Sequence, residues 1–438
     1  MVKLPGNFRK TAFLIKDYFN GGIIGKHLGE IKFLLENYDT PEAVEKRSSL
    51  LQNIINHATQ TTPFYRNLSL RNSISDFPII NKSVIKGSAE NFKSESFKNK
   101  QLFSMTTSGS TGTPFTIFQD LNKKRRNYAD TLYFAQKAGY EIGHKFYYLK
   151  IWSENNKKDK FQTWFQNMIP VDVIKLEEKV ISKLINDIEK DKQCKGLLGY
   201  ASAFDVIVQY LNKIGSSKVI GNIRSAIAIS ESLNPFTREE MSRYFDTNVV
   251  SRYSNLENGI LAQQCLHSAE FHVNAASYFI EIFDLNRDQP VEPGKPGRIV
   301  VTDLFNYSMP MIRYDTGDIG AFSNETECEF KSPCFSRVEG RKLDLLFDTK
   351  GNLISSYIVY KNMWKYTEIM QYQLIQEGKK EYRFMINING PFTQEKRLIE
   401  EFKLYLGADA DFKVEYVSEI PLLNSGKRKK IVNNYIKS

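Results

Sequence analysis

The apolar positions of this chain change period along its length. From Pro41 to Ala58 they recur at Val44, Leu50, Leu51, Ile54 and Ile55, a spacing that gives a helix one apolar face. Lys179 to Glu189 repeats the pattern with Val180, Leu184, Ile185 and Ile188, which predicts a second packed helix. Short apolar runs at 146–151, 226–229 and 298–301 lie between such helices. This interleaving predicts an α/β fold with buried β-sheets and flanking helices. From Asp344 onward the text becomes short strands and turns, such as 382–388, followed by a helix from Gln394 to Leu406. A boundary near Gly340 is therefore expected. It separates a large domain over 1–339, whose first hundred residues are a mostly helical lead-in, from a small α+β domain over 340–438.

Composition narrows the picture. The chain has 438 residues, 41% hydrophobic and 25% charged, enough for a large core and two domains. No run approaches the ~18 apolar residues of a membrane span. Met1 to Gly21 mixes Lys3, Arg9, Lys10 and Lys16 with Leu4, Phe8, Phe13, Leu14, Ile15, Tyr18 and Phe19, without a clean apolar stretch or small-residue cleavage site. A secretory signal is not expected and a cytoplasmic location is. Peripheral contact of this amphipathic segment with a membrane is one partner expectation, and a homodimer is another. The net charge of +10 is spread among acids, as in 155–160, and no nucleic-acid-binding module is present in the sequence, so no nucleic-acid partner is expected. A solvated basic surface that attracts an anionic substrate such as ATP accounts for the charge.

The densest chemistry lies at 105–115, Met-Thr-Thr-Ser-Gly-Ser-Thr-Gly-Thr-Pro-Phe. Gly109 and Gly112 let backbone approach an anion, and Thr106, Thr107, Ser108, Ser110 and Thr111 offer hydroxyl donors. The run lacks the Gly-Lys-Ser/Thr ending of a Walker A loop, which excludes a P-loop NTPase. Taken alone, it is either a phosphate cradle or a flexible surface loop.

Further segments follow in order: Tyr253-Ser254-Asn255-Leu256-Glu257, Tyr314-Asp315-Thr316-Gly317-Asp318, Gly340-Arg341-Lys342-Leu343-Asp344 and Ser425-Gly426-Lys427. With the hydroxyl-rich loop, they resemble the adenylate-forming ligases, in particular the branch of phenylacetate-CoA ligase and the CapK-type proteins of capsular polysaccharide clusters. Thr62-Pro63-Phe64-Tyr65-Arg66, Phe77-Pro78-Ile79-Ile80-Asn81-Lys82 and Asp303-Leu304-Phe305-Asn306-Tyr307 are similar to phrases of the same branch. The resemblance covers roughly residues 50 to 438 and implies a large N-terminal domain, a mobile C-terminal lid and an active site between them.

It also implies a chemistry, the attack of a carboxylate on the α-phosphorus of ATP to give an acyl-adenylate and pyrophosphate. Such catalysis is chiefly positioning and electrostatics. By resemblance, Thr106, Thr107, Ser108, Gly109, Ser110, Thr111 and Gly112 hold the β and γ phosphates. Tyr253 stands beside adenine with Ser230 and Glu231, Ser254 occupies a glycine position next to it, and Glu257 is the acid associated with Mg²⁺. Asp318 and Arg341 bind the ribose hydroxyls, and Lys427 is the lysine that bridges carboxylate and α-phosphate. Where relatives end the loop in lysine this chain has Phe115, so charge neutralisation leans on Mg²⁺ and other cations. Without the resemblance, Tyr253 and Glu257 could be a helix-surface pair, 316–318 a tight turn after a strand-like 309–313, and Lys427 part of a basic tail.

Four cysteines in such a chain do not argue for disulfides. By resemblance to relatives with a zinc cluster, Cys265, His267, Cys328 and Cys334 form a candidate tetrahedral Zn²⁺ site, with His272 an alternative ligand. The acceptor of the acyl group is CoA in phenylacetate-CoA ligase. The nearer likeness to CapK-type proteins favours an amine in surface-polysaccharide synthesis, with a sugar-linked acid as substrate. Tyr147, Tyr148, Tyr200 and Phe204 suit either an acyl pocket or a core. A nucleotide-binding scaffold without turnover is the non-catalytic alternative.

Overall fold

The computed structural model describes residues 6–68, 73–107, 115–152, 158–324, 331–341, 346–354, 357–363, 365–366, 368–388, 390–421 and 429–435. The chain divides into two compact units, one of 1–233 with 237–338 and one of 339–438 with 234–236.

The larger unit opens with five helices, α1 (Gly6–Phe19), α2 (Ile23–Glu36), α3 (Pro41–Thr61), α4 (Pro63–Arg66) and α5 (Lys82–Gly87). In α3 the residues that reach the core are Ala43, Leu50, Ile54, Ile55 and Ala58, while Val44 is exposed. Next comes a two-stranded antiparallel hairpin, β1 (Phe103–Thr107) and β2 (Phe115–Gln119), and then α6 (Leu121–Lys137), capped by the Asp120 side chain.

The α/β expectation holds in an eleven-stranded sheet. Its first half alternates strands and helices: β3 (Lys145–Lys150), α7 (Lys160–Phe165), β4 (Met168–Asp172), α8 (Glu178–Lys190), β5 (Lys195–Tyr200), α9 (Ala201–Lys213), β6 (Ile223–Ile229), α10 (Pro235–Phe245) and β7 (Val249–Asn255). The strands β3 to β7 pair in parallel, as crossover helices require. The sheet then continues with antiparallel strands, β8 (Gly259–Gln264), β9 (Phe271–Val273), β10 (Tyr278–Phe283), β11 (Gly297–Asp303), β12 (Tyr314–Phe322) and β13 (Cys334–Arg341). The spatial order is β10-β11-β12-β13-β9-β8-β7-β6-β5-β3-β4. In α8 the core face is Ile181, Leu184 and Ile188, one residue displaced from the expected start at Val180, which is exposed.

The smaller unit contains β14 (Leu346–Phe347), β15 (Leu353–Ile354), α11 (Tyr357–Met363), β16 (Ile369–Gln376), β17 (Glu381–Ile388), α12 (Glu395–Leu406), β18 (Asp411–Tyr416) and β19 (Ile431–Asn433). Four of these strands form a sheet in the order β18-β17-β16-β19. Leu398, Phe402 and Leu406 of α12 pack on Leu374, Phe384 and Ile386 in the core of this unit.

One expectation fails. The segment 309–313 is not a strand, because Arg313 has φ +53° and its N–H is taken by the Thr302 hydroxyl at 2.9 Å. The strand β12 begins only at Tyr314, and Thr316-Gly317-Asp318 is a bulge within it. Val300 pairs with Asp315 and Arg298 with Ile319, so the three residues 316–318 oppose the single residue Ile299. Gly317, at φ +78°, supplies the left-handed step.

Charge is buried where α6 crosses the sheet. Lys123 and Asp303, both fully buried, pair at 2.7 Å, and Lys123 Nζ also donates to Tyr278 Oη at 3.1 Å. Arg126 donates to Ser277 Oγ at 2.8 Å and to the Ala276 carbonyl at 2.7 Å. His27 of α2 donates from Nε2 to Asn122 Oδ1 at 3.0 Å, and its Nδ1 lies 3.4 Å from Arg126 Nη1; burial, then the Arg126 charge, holds its pKa below the ordinary value. Asp303→Ala is expected to cost about 3–5 kcal/mol, since it strands a buried ammonium, whereas Lys123→Met with Asp303→Leu recovers most of the loss; urea unfolding of wild type, Asp303→Ala and the double variant measures this. A depressed histidine pKa means that the unfolded chain binds more protons below about pH 6.5. The stability contributed by His27 is thus complete above that pH and is lost as pH falls, so His27→Gln should flatten the dependence of Tm on pH between about 7.5 and 5.5.

Candidate active site

The hairpin sets the geometry. Thr107 pairs with Phe115, and Thr106 Oγ1 meets Thr116 Oγ1 at 2.8 Å at the next register position. Ser108, Gly109, Ser110, Thr111 and Gly112 lie outside the described residues, as does the side chain of Thr107. The base of the hairpin is fixed by the loop after β11. Asn306 Nδ2 and Ser308 Oγ both donate to the Phe118 carbonyl, at 3.0 and 3.2 Å, and Asp303 Oδ1 accepts from the N–H groups of Phe305 and Asn306.

Beside the hairpin, Glu257 sits in the turn between β7 and β8, not on a helix, and is 3% exposed. Its carbonyl accepts from Gln119 Nε2 at 3.1 Å, which ties the turn to β2. Its carboxylate pairs with Lys82 Nζ at 2.6 Å and accepts from Tyr314 Oη at 3.3 Å. Phe115 stacks on Tyr314, and the Lys82 ammonium lies 5.6 Å from the Phe115 ring. Lys82 therefore brings a cation to the place where Phe115 has none. It reaches there because 80–82 is laced to β12: Ile80 N donates to the Arg313 carbonyl at 3.0 Å and Asp315 N to the Ile80 carbonyl at 2.7 Å. The Arg313 guanidinium, held by Glu281, also donates to the carbonyls of Ser75 and Phe77. Sequence reasoning quoted Lys82 only as part of a phrase; the sole signal for its role was the missing lysine at 115.

A second pair lies on the neighbouring strands. Tyr253 Oη on β7 donates to Asp318 Oδ2 at 2.8 Å, and the Asp318 N–H donates to Thr316 Oγ1 at 3.1 Å. Burial first, and the Asp318 charge next, raises the Tyr253 pKa well above its ordinary value, so the phenol stays a donor. The register of β7 and β8 shifts between Tyr253, paired with Ala262, and Ser254, paired with Ile260, so Leu261 of β8 is the extra residue of a bulge. Ser230, directly after β6, has φ +69°, a strained conformation for a residue with a Cβ. Glu231 turns its carboxylate to the start of α9, accepting from Ser202 N at 2.9 Å. Arg341 ends β13 with its side chain outside the described residues, and Lys427 falls in 422–428, also outside them.

The zinc expectation lies partly outside the described residues, where Cys328 falls. Among the described residues no group of three or more His, Cys, Asp and Glu converges to hold a metal. Antiparallel pairing of β9 with β13 sets Cys334 opposite His272, the alternative ligand, and Cys334 Sγ lies 3.3 Å from His272 Nδ1. Cys265 Sγ accepts from the His267 backbone N–H at 3.5 Å. The aromatic group divides as well. Tyr147 and Phe204 are core residues, while Tyr148 and Tyr200 lie half-buried on the other face of the sheet.

Comparison with solved structures defines the fold. The chain is similar to 2-hydroxyisobutyryl-CoA ligase in its postadenylation state, with a TM-score of 0.71 and 14% identity over 92% of this chain and 91% of that one. An open form of the same ligase with 2-HIB-AMP and CoA gives a TM-score of 0.59 at 16% identity, over 89% and 91%. ATP-bound MatB from Rhodopseudomonas palustris gives 0.53 at 16%, over 75% and 66%. The fold is thus that of the adenylate-forming, AMP-producing ligases. Residues 346–434 match the CapK C-terminal domain, and the chain is similar to protein CapK of Staphylococcus aureus, at 22% identity over 99% of this chain and 96% of that protein.

Lys82→Met leaves the buried Glu257 carboxylate without its cation, while Lys82→Arg retains one. The first is expected to lower unfolding free energy by about 1–3 kcal/mol and the second by much less, measured by urea denaturation.

Proposed function

We propose that this chain is an ATP-dependent ligase that converts a carboxylic acid to its acyl-adenylate and passes the acyl group to an amine in the assembly of a surface polysaccharide. The observation that carries the reading is the grouping of Lys82, Glu257 and Tyr314 with the Tyr253–Asp318 pair beside a hydroxyl-rich hairpin. An anionic triphosphate needs such a site: hydroxyl and backbone donors from 106–112, a cation at Lys82, and an acceptor for the ribose hydroxyls at Asp318. Arg341 is assigned to the ribose as well. Tyr253, Ser254 and Ser230 lie along strand ends where adenine would rest, with Glu231 holding the start of α9 in place.

Glu257 is a buried carboxylate, the ligand type a magnesium ion takes, and Mg²⁺ bound there would offset charge on the triphosphate. The substrate carboxylate attacks the α-phosphorus, the bond to the β-phosphate oxygen breaks, and pyrophosphate leaves. Lys427, from the CapK C-terminal domain, is assigned to stabilise charge on the carboxylate and α-phosphate oxygens as that bond forms. The acceptor nitrogen then attacks the acyl carbon, AMP departs and a proton is released.

A second reading, with CoA as acceptor, is favoured by the likeness to a ligase solved with CoA. The two differ in one assay. Pyrophosphate release should depend on an added acid across aryl, fatty and uronic acids, and the acceptor that accelerates turnover, CoA or amine, selects the reading. Lys427→Ala should lower acid-dependent release by about 100-fold or more while ATP binding persists. Release that ignores the acid, or ATP binding without release under every condition, would point to a scaffold instead.

A further inference from the structure

The C-terminal edge of the parallel strands carries a buried cation that no role above uses. Arg252 on β7 is 7% exposed. Its Nε donates to Gln263 Oε1 at 2.9 Å, and Gln263 is itself fastened to the Phe134 carbonyl at 2.6 Å. Its Nη2 has no hydrogen-bond partner, and among the described residues Arg252 forms no ion pair. Burial lowers its pKa to about 10, and the one neighbour that acts on its charge is the Tyr148 phenol. An unpaired charge held out of water costs several kcal/mol, so its retention calls for an anion.

Sheet register shows what surrounds it. Leu149 pairs with Gly199, Tyr200 with Ile229 and Ile229 with Arg252, so Lys150, Tyr200, Ile229 and Arg252 stand level on β3, β5, β6 and β7. They share the face that carries Leu198, Ile227 and Val250. The row is cationic at both ends, tyrosine and isoleucine between, and spans about 14 Å, three interstrand spacings. Lys150 lies over the Trp152 and Tyr148 rings, and burial lowers its pKa. The nearest acid in sequence to the row, Glu231, is already turned to the start of α9. Strand C-termini are where open α/β sheets bind ligands, and here Arg252 is directly followed by Tyr253 of the candidate nucleotide site.

We infer that Arg252 binds a second anionic group on the acid that is activated, so that the substrate is a dicarboxylic or phosphate-bearing acid and not a simple aryl or fatty acid. This rests on the ligase reading and names the substrate class of that site. The guanidinium fork matches the geometry of carboxylate and phosphate alike, and Lys150 adds to the positive potential along the row.

The test pairs matched acids in the pyrophosphate assay: succinate with butyrate, glutarate with pentanoate, a hexarate with a hexuronate, and 3-phosphonopropionate for the phosphorus-bearing arm. The wild type should prefer a dianionic member by about 100-fold or more in kcat/KM, and the favoured arm identifies the second group. Arg252→Met should abolish that preference with activity toward the monoanion unchanged, and Arg252→Lys should restore part of it. Because methionine removes a desolvated charge, Arg252→Met should unfold at the same temperature as wild type or higher; a clear loss of Tm together with an unchanged preference would mean a structural role and overturn the inference. Equal turnover of mono- and dianions by the wild type would overturn it too. Should no acid release pyrophosphate, the ligase reading fails by itself, and thermal shift with the same acids still decides: stabilisation of wild type but not of Arg252→Met by dianions supports the inference, and no difference sinks it.

Discussion

The buried pair of Lys123 and Asp303 is the constraint on which the candidate site hangs. Two full charges without solvent are tolerable only if each is surrounded by partners, and these partners are the structural joints of the larger unit. Lys123 lies in the first turn of α6 and reaches Tyr278 of β10; Asp303 ends β11 and folds the following loop with its other oxygen. That loop carries Asn306 and Ser308, which hold β2 by the Phe118 carbonyl. A hairpin with a glycine-rich tip has little packing of its own, so its base must be gripped from outside, and buried polar joints grip with directional geometry.

The same economy governs the acids beside the hairpin. Glu257 and Asp318 are each met by a buried tyrosine whose pKa is raised by burial, so both phenols remain donors and the carboxylates stay oriented. Strain concentrates nearby. Ser230 and Arg313 adopt positive φ without being glycine, the first directly after β6 and the second directly before β12. Arg313 is stabilised by its ion pair with Glu281 and by the two carbonyls it collects from 75–77, and the result is that Lys82 is delivered to Glu257.

Sheet topology then separates two kinds of chemistry by one residue. Tyr253 and Arg252 are consecutive on β7 and point to opposite faces, the phenol toward Asp318 and the guanidinium toward the row that ends in Lys150. The fold is shared with ligases of small acids at 14 to 16% identity, so the fold alone leaves the acid open, and the side chains of that row are where this chain speaks for itself.

The sequence by itself determined a good deal here. Helical and strand periodicities give the α/β class, and hydroxyls, glycines and acids in a fixed order give the kind of site, because local propensity and catalytic chemistry are both written in residue type. It misjudged details that depend on backbone sign and register. Residues 309–313 look like a strand, yet a positive φ at Arg313 ends that possibility, and where the sequence left His267 and His272 both open, strand pairing sets His272 opposite Cys334. Lys82, some 175 residues from Glu257 in sequence, and Arg252, an ordinary basic residue in the text, took on meaning only when the chain was folded. Charge pairing and its absence are properties of distances across the fold, and burial sets the energy of each, so tertiary structure alone decided which cations found partners.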